Sequence, residues 1–290
     1  MTDYINKVLC GSATELDGLP DEVIDLIFTS PPYEKLRHYS DNPEDLGNYQ
    51  GKEFVNMLKP ILAECLRTLK PTGSLFLNFQ APNLGGFTSP SEYLIPHVAV
   101  EELGFQLVQT HYWVKPNAMP TPAAKVVKDA VEVVWHFAKG KDFFVNKDAL
   151  RVPSTTAEKD NRPHKFNPQG KDAGNAFFEL VAPDQQHGHP AKMPLPVAER
   201  FILYGSKAGD VVLDPFCGSG TTLVAAKKHG RAYVGYEMNP AYADFAREAL
   251  GGSPDVVPAR AALEAKRWLN MDELVRYTGL AKATIYSKVC

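Results

Sequence analysis

Two periodicities alternate along this chain, and that alternation limits the fold more than any other feature. Apolar runs that read as buried strands, VIDLIF, SLFLNF, QLVQTHYWV, EVVWHF, DVVLDPF and AYVGYEM, are interspersed with helical patterns at 54–69, 93–103, 222–229 and 241–250. Strands alternating with helices predict an α/β protein with a parallel or mostly parallel sheet and helices on its faces. HYWV and EVVWHFAK follow one another without a helical pattern between them, which predicts an antiparallel pair at the sheet edge. With 290 residues the chain can bury a full core, as one large domain or one with an appendage.

Periodicity fades between Lys139 and His189, where Pro, Asn, Lys and Gly accumulate, as in a long functional loop or a small inserted subdomain. A second break, GGSPDVVP at 251–258, reads as a linker, and 259–290 is a helical pattern with a Thr-Gly turn. The catalytic unit is therefore expected at 1–250. The net charge of −3 argues against a nucleic-acid partner, but its distribution does not. Acids crowd the first sixty residues, whereas 139–171 carries Lys139, Lys141, Lys147, Arg151, Lys159, Arg162, Lys165 and Lys171 against fewer acids. Such a cluster fits a phosphate-facing surface and an ordinary solvated face equally well. The cysteines, Cys10, Cys65, Cys217 and Cys290, are far apart and form no CxxC pair, so free thiols are expected. His187 and His189 lack a third ligand at metal spacing, and no metal is expected. Without a long apolar span or a basic-then-apolar leader, a cytoplasmic enzyme with no membrane role is expected.

Two stretches carry chemistry. In DLIFTSPPYEK a strand ends on Thr-Ser-Pro-Pro-Tyr; the paired prolines remove two backbone donors and stop any regular element, leaving a stiff, carbonyl-rich loop. In VVLDPFCGSGTT a strand delivers Asp214, then Gly218 and Gly220 permit a tight turn and close ligand approach ahead of a helix. Glu237 ends the next strand about twenty residues on, the distance at which an acid meets a ribose. No GKT or GKS follows, so the loop reads as a nucleoside site without pyrophosphate, and Asp214 suits a zwitterionic or cationic ligand.

Asp214, Pro215, Phe216, Cys217, Gly218, Ser219, Gly220, Thr221 and Thr222 together resemble the S-adenosylmethionine loop of DNA amino-methyltransferases. Ser30, Pro31, Pro32 and Tyr33 resemble the catalytic motif of the same family, and the order, catalytic motif first, is similar to its permuted beta class. WVKPNAMP and HPAKMPLP resemble flanking family segments. The resemblance implies a Rossmann-like methyltransferase fold with a mostly parallel seven-stranded sheet, an antiparallel edge hairpin and S-adenosyl-L-methionine as cofactor. It implies that the Ser30 hydroxyl and the Pro31 carbonyl hold an exocyclic amine for in-line attack on a sulfonium methyl. Tyr33 would stack on a base turned out of duplex DNA. Glu237 and Met238 fall at the cofactor end. Family members often carry Gly-Asp ahead of the catalytic strand where this chain has Gly11-Ser12, so Ser12 is a cofactor contact that departs from the pattern.

Ser30 at the motif's first position makes the chain look like the cytosine-N4 group, with adenine-N6 the alternative. Cytosine-C5 chemistry is disfavoured because the Pro-Cys-Gln motif is missing; Cys217 reads as a small lining residue. By resemblance the region 139–188 is the target-recognition element; Lys141, Lys147, Arg151, Arg162 and Lys165 within it, with Lys115 and Asn117 in the flanking WVKPNAMP segment, are candidate DNA contacts. The segment from Asn270 resembles the first two helices of an excisionase-like helix-turn-helix, with an ordinary packing pair as the alternative reading. The resemblance leaves open a cognate restriction endonuclease as partner and a monomer or homodimer as the assembled state. Rival readings are an RNA or protein methyltransferase and a catalytically silent DNA-binding regulator.

Overall fold

The computed structural model describes residues 4–16, 18–34, 43–84, 86–118, 125–153, 169–181 and 193–251. Its strands are β1 (Lys7–Cys10), β2 (Ile24–Thr29), β3 (Leu69–Phe79), β4 (Asn83–Leu84), β5 (Phe87–Thr88), β6 (Gln106–Val114), β7 (Val131–Ala138), β8 (Ala176–Phe178), β9 (Val211–Asp214) and β10 (Ala232–Glu237). The helices are α1 (Gly51–Thr68), α2 (Ser91–His97), α3 (Leu195–Gly205), α4 (Thr221–Lys228) and α5 (Pro240–Gly251). Strands β4 and β5 form a small separate hairpin; the other eight build one sheet in the order β1-β10-β9-β2-β3-β7-β6-β8. Every strand in it runs parallel to its neighbours except β7, which is antiparallel to both β3 and β6.

The six apolar runs all become strands and the four helical patterns all become helix. The predicted edge hairpin exists as β6 and β7, but β7 inserts against β3 and the three-residue β8 takes the edge beyond β6. The sheet therefore has eight strands where seven are expected, because a strand of three residues is too short to carry a periodicity. Strand β1 buries only Val8 of its four residues and so shows no apolar run. Helix α3 is not among the expected elements either, although Val197, Ala198, Phe201 and Ile202 fall at helical spacing and are all buried.

Burial on both faces explains the apolar runs. Along β2, Ile27 packs under the layer of α1 and α2, while Leu26 and Phe28 pack under α3, α4 and α5. Strand β2 leads through α1 to β3 on one side, and its other neighbour β9 leads through α4 to β10 on the opposite side. The winding direction thus reverses between β2 and β9, and such a reversal opens a crevice outside the carboxyl ends of the strands.

Behind the sheet lies a buried pair of imidazoles. His136 stacks on Phe76 with centroids 4.2 Å apart and bonds Ser74 Oγ at 3.0 Å, while neither ring nitrogen of His111 has a hydrogen-bond partner among the described residues. Burial holds both rings neutral, pulling His111 down to about 4 and His136 to about 3. Their folded values lie below the unfolded value, so their full stability is present above about pH 6.5 and is lost as the unfolded chain takes up protons below it. Each ring can cost at most roughly 1.4 kcal/mol per pH unit across that window. Melting followed from pH 7 to pH 4.5 should fall less steeply for His111→Leu than for the wild type; parallel curves would contradict this.

Candidate active site

Parallel pairing of β2 with β9, with Leu26 opposite Val212 and Ile27 opposite Leu213, sets the two motif loops side by side at the crevice. Thr29 Oγ1 donates to Asp214 Oδ1 at 2.6 Å, joining residues 185 positions apart. The same carboxylate oxygen accepts from the Phe216 amide at 3.1 Å, which turns the chain immediately after the strand. Gly220 has a φ of +85°, and a Cβ there would lie 3.0 Å from Ala246 Cβ, so glycine is required both for the turn into α4 and for the approach of α5. At Gly235, on β10, a Cβ would fall 2.5 Å from Leu223 Cδ1 and 2.9 Å from Cys217 Sγ. That glycine, which the sequence patterns do not single out, makes room for the loop from beneath.

A cavity of about 440 Å³ fills the crevice. The whole Ser30–Tyr33 motif lines it, as do Asp214 to Ser219, Thr221, Thr222, Glu237, Met238 and Ser12; Gly220 supports the loop without lining the cavity. Glu237 Oε2 accepts from the Gly218 amide at 3.0 Å and Oε1 from the Asn239 amide at 2.8 Å, so it braces the glycine loop while facing the cavity. Ser12 Oγ is 2.9 Å from Thr14 Oγ1 on the loop after β1.

Charge in this cavity has one sign. Glu44, Asp45, Glu132, Asp214 and Glu237 line it, and no lysine or arginine among the described residues does. Burial pushes Asp214 up to about 6 against the lowering pull of its hydrogen bonds, and burial likewise raises Glu237. A ligand with a sulfonium and an ammonium fits such walls; one bearing phosphates does not. Burial, helped by Asp214 and Glu237, also raises the Cys217 thiol well above its ordinary value, so it stays protonated and serves as a small wall residue.

The catalytic-motif loop is pinned at both ends. The carboxylate of Glu34, fully buried, accepts from the Gly51 amide at the start of α1 at 2.5 Å and from Ser89 Oγ at 2.8 Å. Tyr33 Oη donates to Glu132 Oε2 at 2.8 Å and accepts from Asn78 Nδ2 at 2.9 Å, with its ring edge-on to Phe79. Asn78 Nδ2 also reaches Glu132 Oε2 at 2.6 Å, and Lys115 Nζ pairs with Glu132 Oε1 at 2.9 Å while donating to Gln80 at 2.7 Å. Asn78 and Glu132 carry no sequence signal as site residues.

The expected DNA contacts do not form one surface. Lys115 is buried in the ion pair just described, so it does not reach outward as a phosphate contact. Asn117 ties its side chain to the Val181 backbone. Lys141 and Lys147 leave the carboxyl end of antiparallel β7, where Lys139 N bonds Gly73 O and Phe144 N bonds Thr72 O; this is the end of the sheet opposite the cavity. Arg151 bonds Gly170 O and Asp148 on the strip leading back toward β8. Arg162, Lys165, His187, His189 and the segment 259–290 lie outside the described residues.

Removing one member of a buried ion pair leaves the other charge without compensation. Lys115→Met should therefore lower the unfolding free energy by about 3–5 kcal/mol in urea titrations, with the double change Lys115→Met and Glu132→Gln recovering part of the loss. Equal stability of Lys115→Met and the wild type would contradict the buried pairing.

The comparisons with known proteins agree with this geometry. A family model described as DNA methylase, for N6 and N4 methyltransferases, matches residues 24–248. The type II methyltransferase M.BglII of Bacillus subtilis is 30% identical over 267 residues, covering 87% of this chain and 71% of its own length. The DNA adenine methyltransferase YhdJ of Escherichia coli is 31% identical over 246 residues, covering 79% of this chain and 76% of its own. The cytosine-N4-specific PvuII DNA methyltransferase superposes with a TM-score of 0.65 at 25% identity, covering 86% of this chain and 87% of its own. A DNA modification methylase of Thermus thermophilus, solved with S-adenosyl-L-methionine, superposes at 0.59 with 28% identity, covering 84% of this chain and 93% of its own. With both motif loops and all the strands between them inside the matched span, this chain belongs to the N6/N4 DNA methylase family.

Proposed function

We propose that this DNA methylase transfers a methyl group from S-adenosylmethionine to the exocyclic N4 amine of cytosine in duplex DNA, with the target base turned out of the helix. The observation that carries this reading is the position of Ser30. It is a hydroxyl at the first place of the motif, and it lines the same cavity as the acidic loop and Tyr33. The PvuII enzyme, named as cytosine-N4-specific, shares the fold and supports the choice of base. The likeness to an adenine methyltransferase keeps adenine N6 as the second reading.

Bound in the acidic half of the cavity, the cofactor would supply an electrophilic methyl on a sulfonium. The chain does the rest by placement. Asp214 and Glu237 favour the cation and the ribose, and the glycine loop gives backbone access. Ser30 Oγ and the Pro31 carbonyl accept the two amine hydrogens and so free a lone pair that is otherwise delocalised into the ring. Tyr33 supplies a wall for the extruded base, and stacking of this kind is worth about 1–3 kcal/mol. The described stretch 169–181 runs through β8 to Val181 on the cavity wall, and the region 139–188 would carry target recognition.

Incubation with labelled S-adenosylmethionine and unmethylated duplex DNA, then digestion and nucleoside mass spectrometry, should yield N4-methylcytosine. N6-methyladenine in its place would overturn the base assignment. Cofactor binding should also report on Asp214: a cation prefers the ionised acid, so affinity measured by calorimetry should weaken as pH falls below about 6, by at most about tenfold per pH unit. An affinity that is flat from pH 7.5 to pH 5 would place the cation elsewhere.

A further inference from the structure

Glu132 sits within the second residue of β7, nine-tenths buried, and faces the cavity next to the catalytic-motif loop without belonging to either sequence motif. Its hydrogen bonds have a direction. An ionised carboxylate can only accept, so the Tyr33 hydroxyl, 2.8 Å from Oε2, must give its proton to Glu132. The oxygen of Tyr33 is then left as an acceptor, and it receives Asn78 Nδ2 at 2.9 Å and faces the Ser30 hydroxyl at 3.4 Å. Ser30, turned to donate toward Tyr33, meets Asn78 Nδ2 at 3.4 Å on one lone pair and keeps the other for the cavity that it lines. Lys115, paired with the other carboxylate oxygen at 2.9 Å, supplies the opposite charge for this buried carboxylate. Lys115 and Tyr33 are the charged and titratable groups in contact with it, and Asn78 is its remaining polar neighbour.

We propose that Glu132 is a positioning residue for methyl transfer, which orients the chain Glu132–Tyr33–Ser30 toward the target amine and receives the proton that the amine must lose. This rests on the reading of Ser30 as the amine's acceptor. The balance is simple. As the new N–C bond forms from the nitrogen lone pair, the C–S bond breaks with its electron pair left on sulfur, and the nitrogen carries one proton too many. That proton passes to Ser30 Oγ while the proton of Ser30 moves to Tyr33 Oη and the proton of Tyr33 to Glu132 Oε2. The N–H pair stays on nitrogen, both hydroxyls end as they began, and Glu132 is neutral until solvent takes the proton after product release.

The test uses Glu132→Gln, the double variant with Lys115→Met that leaves no unpaired buried charge, and Tyr33→Phe, which removes the middle hydroxyl alone. Each is expected to keep cofactor affinity by calorimetry and duplex affinity by anisotropy within a few-fold of the wild type, since no contact to either ligand is removed. Single-turnover transfer at saturating cofactor should drop by roughly a hundredfold or more. Glu132→Asp, which keeps the carboxylate, should restore part of the rate. A folded Glu132→Gln or Tyr33→Phe enzyme with the wild-type rate would overturn the proposal. Ser30→Ala measured in parallel separates the two levels: slow transfer there beside unimpaired Glu132→Gln defeats only the proton path, whereas full-rate Ser30→Ala defeats the acceptor reading on which it rests.

Discussion

The contact between the carboxyl ends of β2 and β9, sealed by the Thr29–Asp214 hydrogen bond, is the constraint on which the rest of the site depends. A sheet wound outward in both directions from these two strands leaves a crevice there whatever the sequence of its loops. What this chain adds is chemistry at both lips. One strand ends in a proline-stiffened loop that lacks two backbone donors, the other in an acid followed by glycines. Brought within hydrogen-bond reach, the two loops line one continuous cavity.

Electrostatics divides the cavity between its two tasks. Toward β9 and β10 the carboxylates face the cavity with no lysine or arginine among its lining, which favours a cationic ligand. Toward β3 and β7 the Glu132 carboxylate is neutralised by Lys115 and wrapped by Tyr33 and Asn78. A buried ion pair of this kind contributes little net stability compared with apolar packing, because desolvation offsets the attraction. Its value lies in orientation: the carboxylate can only accept, and so it fixes which way each neighbouring hydroxyl points.

Much of this was legible in the sequence because the signals were local. Two prolines after Ser30 and glycines at 218 and 220 restrict backbone conformation within a few residues of themselves, and the apolar runs report burial on both faces. The rest depends on who lies next to whom. Glu132 and Asn78 join the site only because β7 runs antiparallel against β3, pairing Asn78 with Val134 and Phe79 with Val133, and no pattern within either strand announces that. Lys115 looks like a phosphate contact in a basic, Pro-rich segment, yet it ends up as a buried counter-ion. Lys141 and Lys147 share a basic stretch with Arg151, but the reversed direction of β7 carries them to the far end of the sheet.

In the proposed reaction Ser30 is the acceptor that prepares the amine, separate from the residues that hold the cofactor. The most direct measurement pairs single-turnover methyl transfer with cofactor calorimetry on Ser30→Ala. Cofactor affinity is expected within about twofold of the wild type, with transfer slowed by roughly a hundredfold or more. Transfer at the wild-type rate, or a loss of transfer explained entirely by lost cofactor affinity, would contradict that role.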